Sequence, residues 1–501
     1  MGSTSDPGRQ RPRFGVGSIL LANLLPLGGV LWLGWDPATL VVIYAVELLF
    51  TFPLAGLKAV FAERPPRTDH ADSSVVSVSS ELTERRGSVE VVSWLPPIYP
   101  RNLPFATAIG NGSIWFLIAF GGVISTVFTV GDVLTRPEVI VSVFALVVAQ
   151  LVDTWRDYLG GGYKTASAYS VIETPTRQAF FLTFVLMATP GLGVVGVEGV
   201  LGVIVGVKLL IEWSAYQATT DGNNRLTGWL VDWLAGPEPV ESDSEPEDVP
   251  DVDTDTDTDP EACISTDRRA VLYTGLFEVV GKLAPFVAMP FIFVWFVVLI
   301  LLGDEAPAIV AVGLSVGVAV SFLGYLAMRV LFVFLQYGSL EYRRYGEQIV
   351  AYDTLLDEAQ WSTSIETLRN VQVVPDRLAD RLLGTRTLTV TTGWGDHEKR
   401  RYLGPTAEVD ELVAAFELPV RTTELDPVDR RPAAVVVACL VGLSSVVVVL
   451  AVGPWIALGE LLFSGIAYGV FGFPVLGLLL RFVWVQSYPE RTTDPPNTEA
   501  G

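Results

Sequence analysis

The run LEYRRYGEQIVAY, residues 340–352, opens the one long segment of the chain that has the character of a folded domain yet is too polar to enter a membrane. Aromatic and β-branched residues are mixed with charges there, which is typical of half-buried strands. Residues 363–374 predict a further strand, because Leu368, Val371 and Val373 are spaced to bury one face.

The rest of this segment predicts helices around another strand pair. Residues 375–384 begin with proline and end with glycine, as a short helix does. In residues 386–392 apolar side chains alternate with threonines, which predicts a strand, and residues 400–403 predict a return strand. Residues 406–416 predict a closing helix. Residues 337–431 should therefore fold as a small α+β module with antiparallel strands.

The motifs EYRRYGEQIVAYD, SIETLRNVQVV and DRLADRLLGTRTLTVTTG, read in this order, resemble the bacterial pleckstrin-homology (PH) domains of the second type. The resemblance covers about 80 residues and is most specific over residues 368–393. It implies a small split barrel capped by a helix. It implies little about chemistry, because membrane proteins that carry this domain mostly lack an assigned activity.

Composition indicates that this module belongs to a membrane protein. Half of the 501 residues are hydrophobic, the formal net charge is −22, and the mean hydropathy is +0.45. Apolar spans separated by very acidic loops explain both values. Lysine is scarce while aspartate is abundant, which suits a cytoplasm rich in salt. We therefore expect a halophilic source; the alternative is that the acidity only reflects the linkers.

Long apolar runs predict a polytopic α-helical membrane protein with about ten transmembrane helices. The resemblance implies that it also carries one small cytoplasmic α+β PH-like split-barrel domain. The predicted spans are Phe14–Leu33, Ala38–Phe61, Ala106–Val130, Glu138–Trp155, Arg177–Val195, Glu198–Tyr216, Pro285–Leu302, Ala306–Leu335, Ala433–Val452 and Ile456–Val483.

Arginine and lysine concentrate in alternate loops of this arrangement. Arg136 is the only cation in the short connections on the other side. The positive-inside rule then predicts a multi-pass protein of the cell membrane, with both termini and the PH-like module in the cytoplasm.

Two polar linkers divide the chain. Residues 267–282, between the second linker and the next span, predict an amphipathic helix at the inner interface. The predicted domains are a tail (1–13), a six-span unit (14–235, with a cytoplasmic loop at 63–102), an acidic disordered linker (236–267), an interfacial helix and two spans (268–336), the PH-like domain (337–431), two further spans (432–485) and a disordered tail (486–501).

The six-span unit has a resemblance of its own. The sequence ANLLPLGGVLWLGWDPATLVVIYAVELLF, residues 22–50, contains Asn-x-x-Pro and Tyr-x-x-Glu motifs. It resembles an uncharacterised multi-pass family of halophilic archaea over roughly residues 14–235. This resemblance implies no activity.

Polar residues inside predicted spans are the candidate functional residues, since a charge in lipid is costly. They form a candidate intramembrane polar cluster: Glu47, Lys208, Glu212, Asn23 and Asn111. Glu47 and Lys208 fall near the middle of their spans, and we expect a contact between Glu47 and the Lys208–Glu212 face. Such a cluster either locks helices together or handles a substrate or proton; snorkelling to the interface is the third reading.

The sequence does not contain the residue spacings that common enzyme mechanisms require. The two histidines, His70 and His397, lie outside the spans, so a Ser-His dyad is not expected there. Gly110-Asn-Gly-Ser113 has the outline of a serine elbow without a histidine. No zinc motif, phosphate loop or EF-hand spacing is present. We expect no enzyme activity, no metal site and no cofactor.

Two functions remain. The first is a scaffold or assembly protein, embedded in the lipid bilayer, whose PH-like domain binds a membrane or cytoplasmic protein or another copy of itself. The alternative is a transporter or channel built from the six-span unit, with the domain regulatory. Nucleic acid is not an expected partner. Residues 337–420 hold nine basic and fourteen acidic side chains, which disfavours anionic lipid.

Overall fold

The computed structural model divides into two compact units, Met1–Asp248 and Val249–Gly501, which are described separately. The structure describes residues 34–65, 81–113, 136–188, 205–210, 259–279, 308–375, 377–392 and 399–420, with short pieces between them.

The first unit is helical. Its long helices are α1 (Pro37–Phe61), α2 (Pro137–Asp153) and α3 (Ala168–Ala188), and α2 continues as a single π-helical turn, Thr154–Tyr158. Proline stands at the first position of α1 and α2, where its missing N–H has no intrahelical acceptor to lose. Residues 103–113 are also helical.

Helix α1 is the centre of this unit, with α2 and α3 packed beside it. Its buried side chains Leu40, Tyr44, Leu48 and Phe52 form the main apolar cluster together with Ile172 of α3 and other residues. Ion pairs join α1 and α2 at both ends. Asp36 meets Arg136 (3.0 Å) just before the two helices, and Lys58 meets Asp153 (3.6 Å) near where they finish. The two helices therefore run parallel.

Backbone hydrogen bonds tie the loops together at the end where α1 and α2 finish. Glu63 N–H donates to Tyr163 O (3.0 Å) and Tyr99 N–H donates to Val60 O (3.1 Å). The buried Asn102 amide donates to Ala62 O (2.6 Å). The bonds to Val60 O and Ala62 O satisfy carbonyls that the end of α1 leaves open.

Within the described residues, three helices are long and apolar enough to cross a membrane: Thr39–Phe61, Pro137–Tyr158 and Ser315–Tyr337. The prediction of about ten transmembrane helices is therefore wrong. A hydropathy pattern counts apolar residues and cannot separate a lipid-facing helix from one buried in protein. The predicted span Arg177–Val195 illustrates this, because α3 begins at Ala168 and carries a buried ion pair in its first half.

Several other predicted spans lie wholly or largely outside the described residues: Phe14–Leu33, Ala106–Val130, Glu198–Tyr216, Pro285–Leu302, Ala433–Val452 and Ile456–Val483.

The second unit contains two antiparallel sheets. The first has the order β1-β2-β3-β4 and the second the order β5-β6-β7. The strands are β1 (Ala262–Ser265), β2 (Leu340–Tyr345), β3 (Gln348–Asp353), β4 (Glu358–Ser364), β5 (Arg369–Val373), β6 (Arg386–Thr392) and β7 (Lys399–Thr406). The helices are α4 (Arg268–Glu278), α5 (Ala308–Tyr337), α6 (Leu378–Leu383) and α7 (Val409–Ala415).

The strand at 386–392 and the helices at either side of it are confirmed, though both helices are shorter than expected. Residues 340–352, which have the pattern of half-buried strands, form the hairpin β2–β3, which turns at Gly346 with a φ of 57°. Residues 363–374 contain the end of β4 and all of β5, separated by a 3₁₀ turn at Ile365–Thr367.

Strand β1 falls within the residues predicted as an acidic disordered linker (236–267). It pairs with β2, matching Ala262 to Arg344 and Ser265 to Glu341. Ile264 then enters the core between the sheets, where it joins Tyr342 and Leu388. The sheet thus includes a strand that precedes α5 in the chain, and no local sequence pattern predicts this pairing.

The core between the two sheets is closed by α7. Leu412 and Phe416 are almost fully buried in the same cluster as Val390 and Leu403. Tyr342 of β2 joins the sheets directly. Its hydroxyl donates to Tyr402 O (2.9 Å) and accepts from Gly404 N–H (3.2 Å), both on β7.

Candidate functional site

An ion pair joins two predicted site residues in the first unit. Lys208 Nζ donates to Glu47 Oε2 at 2.5 Å, and the two side chains are only 13% and 15% exposed. Glu47 lies near the middle of α1, and Lys208 lies in the helical residues 205–210. The pair links segments 161 residues apart in the chain.

Tyr44 completes this site. It precedes Glu47 by three residues, so both side chains occupy one face of α1. Lys208 Nζ lies 4.2 Å from the centroid of the Tyr44 ring, which is close enough for a cation–π interaction. Lys208 therefore contacts both the Glu47 carboxylate and the face of an aromatic ring. Tyr44 is itself part of the apolar core. We call Tyr44, Glu47 and Lys208 the polar triad.

A second hydrogen-bonded link lies one turn further along α1. Thr51 Oγ1 donates back to Glu47 O (2.8 Å), and Gln150 of α2 donates its amide to Thr51 Oγ1 (2.9 Å). Gln150 Oε1 is buried and has no hydrogen-bond donor within the described part of the chain. Side-chain links of this kind lock neighbouring helices in register.

Three further residues belong to the predicted cluster: Asn23, Asn111 and Glu212. Asn23 and Glu212 lie outside the described residues. Asn111 is half-buried in the helical residues 103–113. The serine elbow outline is not realised either, since Ser113 Oγ donates to Gly110 O (2.6 Å) as part of a continuous helix.

Sequence reasoning missed a second buried charge pair, on α3. Arg177 donates to Glu173 Oε1 from Nη2 (2.6 Å) and from Nε (2.9 Å), and both side chains are 6% exposed. The spacing i,i+4 between opposite charges was the available signal. Tyr169 lies one turn before Glu173. Burial, and secondarily the Glu173 carboxylate, raises the pKa of its hydroxyl to about 12.

Several hydrogen bonds hold the junction between α5 and the sheets. Only Gly338 and Ser339 separate Tyr337, the last residue of α5, from Leu340, the first of β2. Gly338 N–H donates to Phe334 O (2.6 Å) and Thr354 N–H donates to Ser339 O (2.9 Å).

The residues that follow β1 hold this junction from the other side. Thr266 Oγ1 donates to Tyr337 O (2.9 Å) and lies 3.0 Å from Leu340 O. Asp267 then caps α4, accepting from the N–H groups of Arg269 and Ala270. A Cβ at Gly275 of α4 would lie 3.1 Å from Val333 Cβ, so glycine lets α4 pack closely on α5.

A cleft of about 600 Å³ opens beside this junction. Its lining is rich in hydroxyl groups and includes two carboxylates and two guanidinium groups. At its edge the Cys263 thiol is hydrogen-bonded to Glu341, and burial together with this bond raises the pKa of the thiol to about 11. The thiol thus stays protonated at neutral pH and is a poor nucleophile.

Within the described residues, no group of three or more His, Cys, Asp or Glu side chains is arranged to hold a metal ion. His70, His397 and Cys439 lie outside them. Lys282, the last residue of the predicted interfacial helix, also lies outside.

Fold and site together define a chain with membrane-length helices, a buried charge pair against one of them, and an antiparallel module fused to another. Residues 5–225 match the model of a family of unknown function (DUF6498). The match covers less than half of the chain and concerns the unit that carries the polar triad. No curated protein and no solved structure matches this chain.

Proposed function

We propose that the protein is a membrane scaffold that holds its antiparallel module at a fixed position on the membrane surface, where the module binds a protein partner. The observation that carries this proposal is the junction at Tyr337–Leu340. A membrane-length helix is connected to a sheet by only two residues, both hydrogen-bonded, whereas a mobile domain would be connected by a flexible polar linker.

The packing around the junction supports the same conclusion. Helix α4 contacts both α5 and α6, and Asp267 N–H donates to Pro405 O of β7 (2.7 Å). Tyr337 packs against the core between the sheets, with its ring 6.2 Å from that of Tyr402. The membrane helix and both sheets therefore share one packed interior, which suits a role that depends on position.

The charge of the module favours a protein partner over a lipid one. Residues 337–420 carry five more acidic than basic side chains, so an anionic membrane surface repels them on average. Leu382 on α6 is 65% exposed and Leu355 between β3 and β4 is 51% exposed. Exposed leucines on an acidic surface fit a partner with an apolar contact patch and a basic rim.

The two antiparallel sheets closed by α7 are also the reason to keep the PH-like resemblance as a proposal for this module. We further propose that the module and both termini are cytoplasmic, as the arginine distribution indicates. Reporter fusions at Gly236 and Gly393 are expected to report the cytoplasmic side. An external signal from either fusion would refute this orientation.

Photo-cross-linking in native membranes tests the scaffold function. A photoreactive residue in place of Leu382 should give a discrete protein adduct, while the same residue in place of Glu366, which is exposed and polar, should not. The adduct should disappear in a Tyr342→Ala background, because loss of the bond between the sheets disrupts the module. Equal labelling from both positions, or no adduct from a well-folded chain, would contradict the proposal.

The polar triad favours transport as a second candidate. A buried Glu–Lys pair against a membrane-length helix is a common arrangement where protons or ions are handled. In proteoliposomes, transport would require that Glu47→Gln abolish the dissipation of an imposed proton or sodium gradient. A scaffold would show no gradient-dependent flux above that of empty vesicles, for the natural chain and for the variant alike.

A further inference from the structure

A loop of the first unit exposes apolar side chains beside a membrane-length helix. Residues 89–98 are closed by paired backbone hydrogen bonds, Val89 N–H to Ile98 O (2.8 Å) and Ile98 N–H to Val89 O (2.9 Å). Val91 is 64% exposed and Trp94 is 67% exposed. Sequence reasoning places residues 63–102 in an aqueous loop, where such exposure is unfavourable.

The exposed side chains meet the outer surface of α2. The rings of Trp94 and Trp155 are 5.9 Å apart, and Trp155 is 63% exposed in the π turn at the end of α2. Apolar exposure then continues along α2 at Leu151 and Phe144. The apolar surface of the loop is thus continuous with the surface that a spanning α2 turns towards lipid.

We infer that residues 89–98 insert shallowly into the membrane interface, with Val91, Val92 and Trp94 among the lipid acyl chains. Tryptophan concentrates at this depth because its ring is apolar while its N–H needs a polar partner. Glu90 and Arg156, next to the exposed residues on each segment, are exposed as well, and would lie at the headgroup level.

The loop would then act as a lateral anchor for this unit. Asn102 and Tyr99 fasten its C-terminal side to the end of α1, at Ala62 and Val60. Insertion of the loop therefore fixes the depth of α1, and with it the depth of the polar triad. The inference depends on α2 spanning the bilayer and is independent of the scaffold function.

Site-directed fluorescence in vesicles tests this inference. With Cys263 and Cys439 replaced by serine, single cysteines at Val92, Val148 and Lys164 would carry an environment-sensitive nitrobenzoxadiazole label. The full chain is reconstituted in phosphatidylcholine brominated near the headgroup or near the bilayer centre. Val148 is the deep control, at mid-length of the candidate span Pro137–Tyr158, and Lys164, exposed in the loop before α3, is the aqueous control.

We expect the label at position 92 to be quenched at least twofold more by shallow than by deep bromine, and the label at 148 to show the reverse order. The label at 164 should remain unquenched. Absence of quenching at position 92, with the label at 148 quenched, would overturn the inference. This holds even if the emission of the label at 92 is blue-shifted, because an apolar environment without quenching means that protein covers the loop. Absence of quenching at 148 would refute its basis, a spanning α2.

Discussion

The polar triad predicts a strong, non-additive dependence of stability on Glu47 and Lys208. Glu47→Leu leaves the Lys208 ammonium buried beside an alkyl group. Removing one partner of a buried pair costs about 3–5 kcal/mol. The Tyr44 ring, 4.2 Å from Lys208 Nζ, retains part of the stabilisation, so we expect a loss near the lower end, about 3 kcal/mol.

Glu47→Gln keeps an oxygen that accepts a hydrogen bond from Lys208, so its loss should be about half as large, roughly 1.5 kcal/mol. The double variant Glu47→Leu/Lys208→Met buries no unpaired charge, and its loss should be smaller than that of Glu47→Leu alone. The coupling energy is then about 2 kcal/mol or more.

The assay is the free energy of unfolding in mixed detergent micelles, measured for the single and double variants. Lys58 of α1 and Asp153 of α2 provide a control ion pair that shares helix α1 with the tested pair. Their side chains are 23% and 48% exposed and lie 3.6 Å apart, so removing that pair should change stability by about 0–1 kcal/mol. Additive losses at Glu47 and Lys208, or a loss no larger than that of the control, would refute the reasoning.

Three further predictions concern single residues. Tyr342→Phe should destabilise the module by about 1–3 kcal/mol, because Tyr402 O and Gly404 N–H both lose their hydrogen bond to the Tyr342 hydroxyl. Gly404→Ala should cost more than Gly346→Ala in a thermal unfolding assay. Both have positive φ, but only at Gly404 would a Cβ meet backbone, 2.7 Å from Arg386 O. Tyr169→Phe should leave stability at pH 7 unchanged or slightly higher, since the buried hydroxyl has no partner in the described residues, and should reduce the loss of stability at alkaline pH.

The sign of the last effect follows from the raised pKa of Tyr169. The folded chain holds the phenolic proton up to a pKa of about 12, against an ordinary value of 10.0. Its contribution is therefore fully present below pH 10 and is lost as pH rises towards 12. Identical alkaline unfolding curves for the natural chain and Tyr169→Phe would contradict this. Equal melting of the two glycine variants, or a neutral Tyr342→Phe, would contradict the other two predictions.

The module could be predicted in large part from local pattern. Alternation around Leu388 and Val390 marked β6, and the proline and glycine around 375–384 bounded α6. The hairpin turn at Gly346 was not predicted, because the mixture of aromatic, β-branched and charged residues around it indicates strand without locating the turn. Strand β1 could not be predicted, since its pairing with β2 joins residues far apart in the chain, such as Ile264 and Tyr342.

The candidate site could be predicted only in part from the sequence. Depth within the predicted spans singled out Glu47 and Lys208. Tyr44 was not predicted as a site residue, although its spacing of three residues from Glu47 was an available signal. The pair Glu173–Arg177 was not predicted, because a hydropathy pattern assigns a charged residue near the start of a helix to the preceding loop. The same limitation inflated the number of spans.

The central claim is that α5 and the module move as one body. Spin labels at Leu323→Cys on the exposed face of α5 and at Leu355→Cys on the module, in a background without the native cysteines, report this in lipid nanodiscs. Double electron–electron resonance should give a single narrow distance distribution, and a six-residue Gly-Ser insertion between Gly338 and Ser339 should broaden it. A distribution as broad in the natural chain as in the insertion variant would contradict the rigid junction.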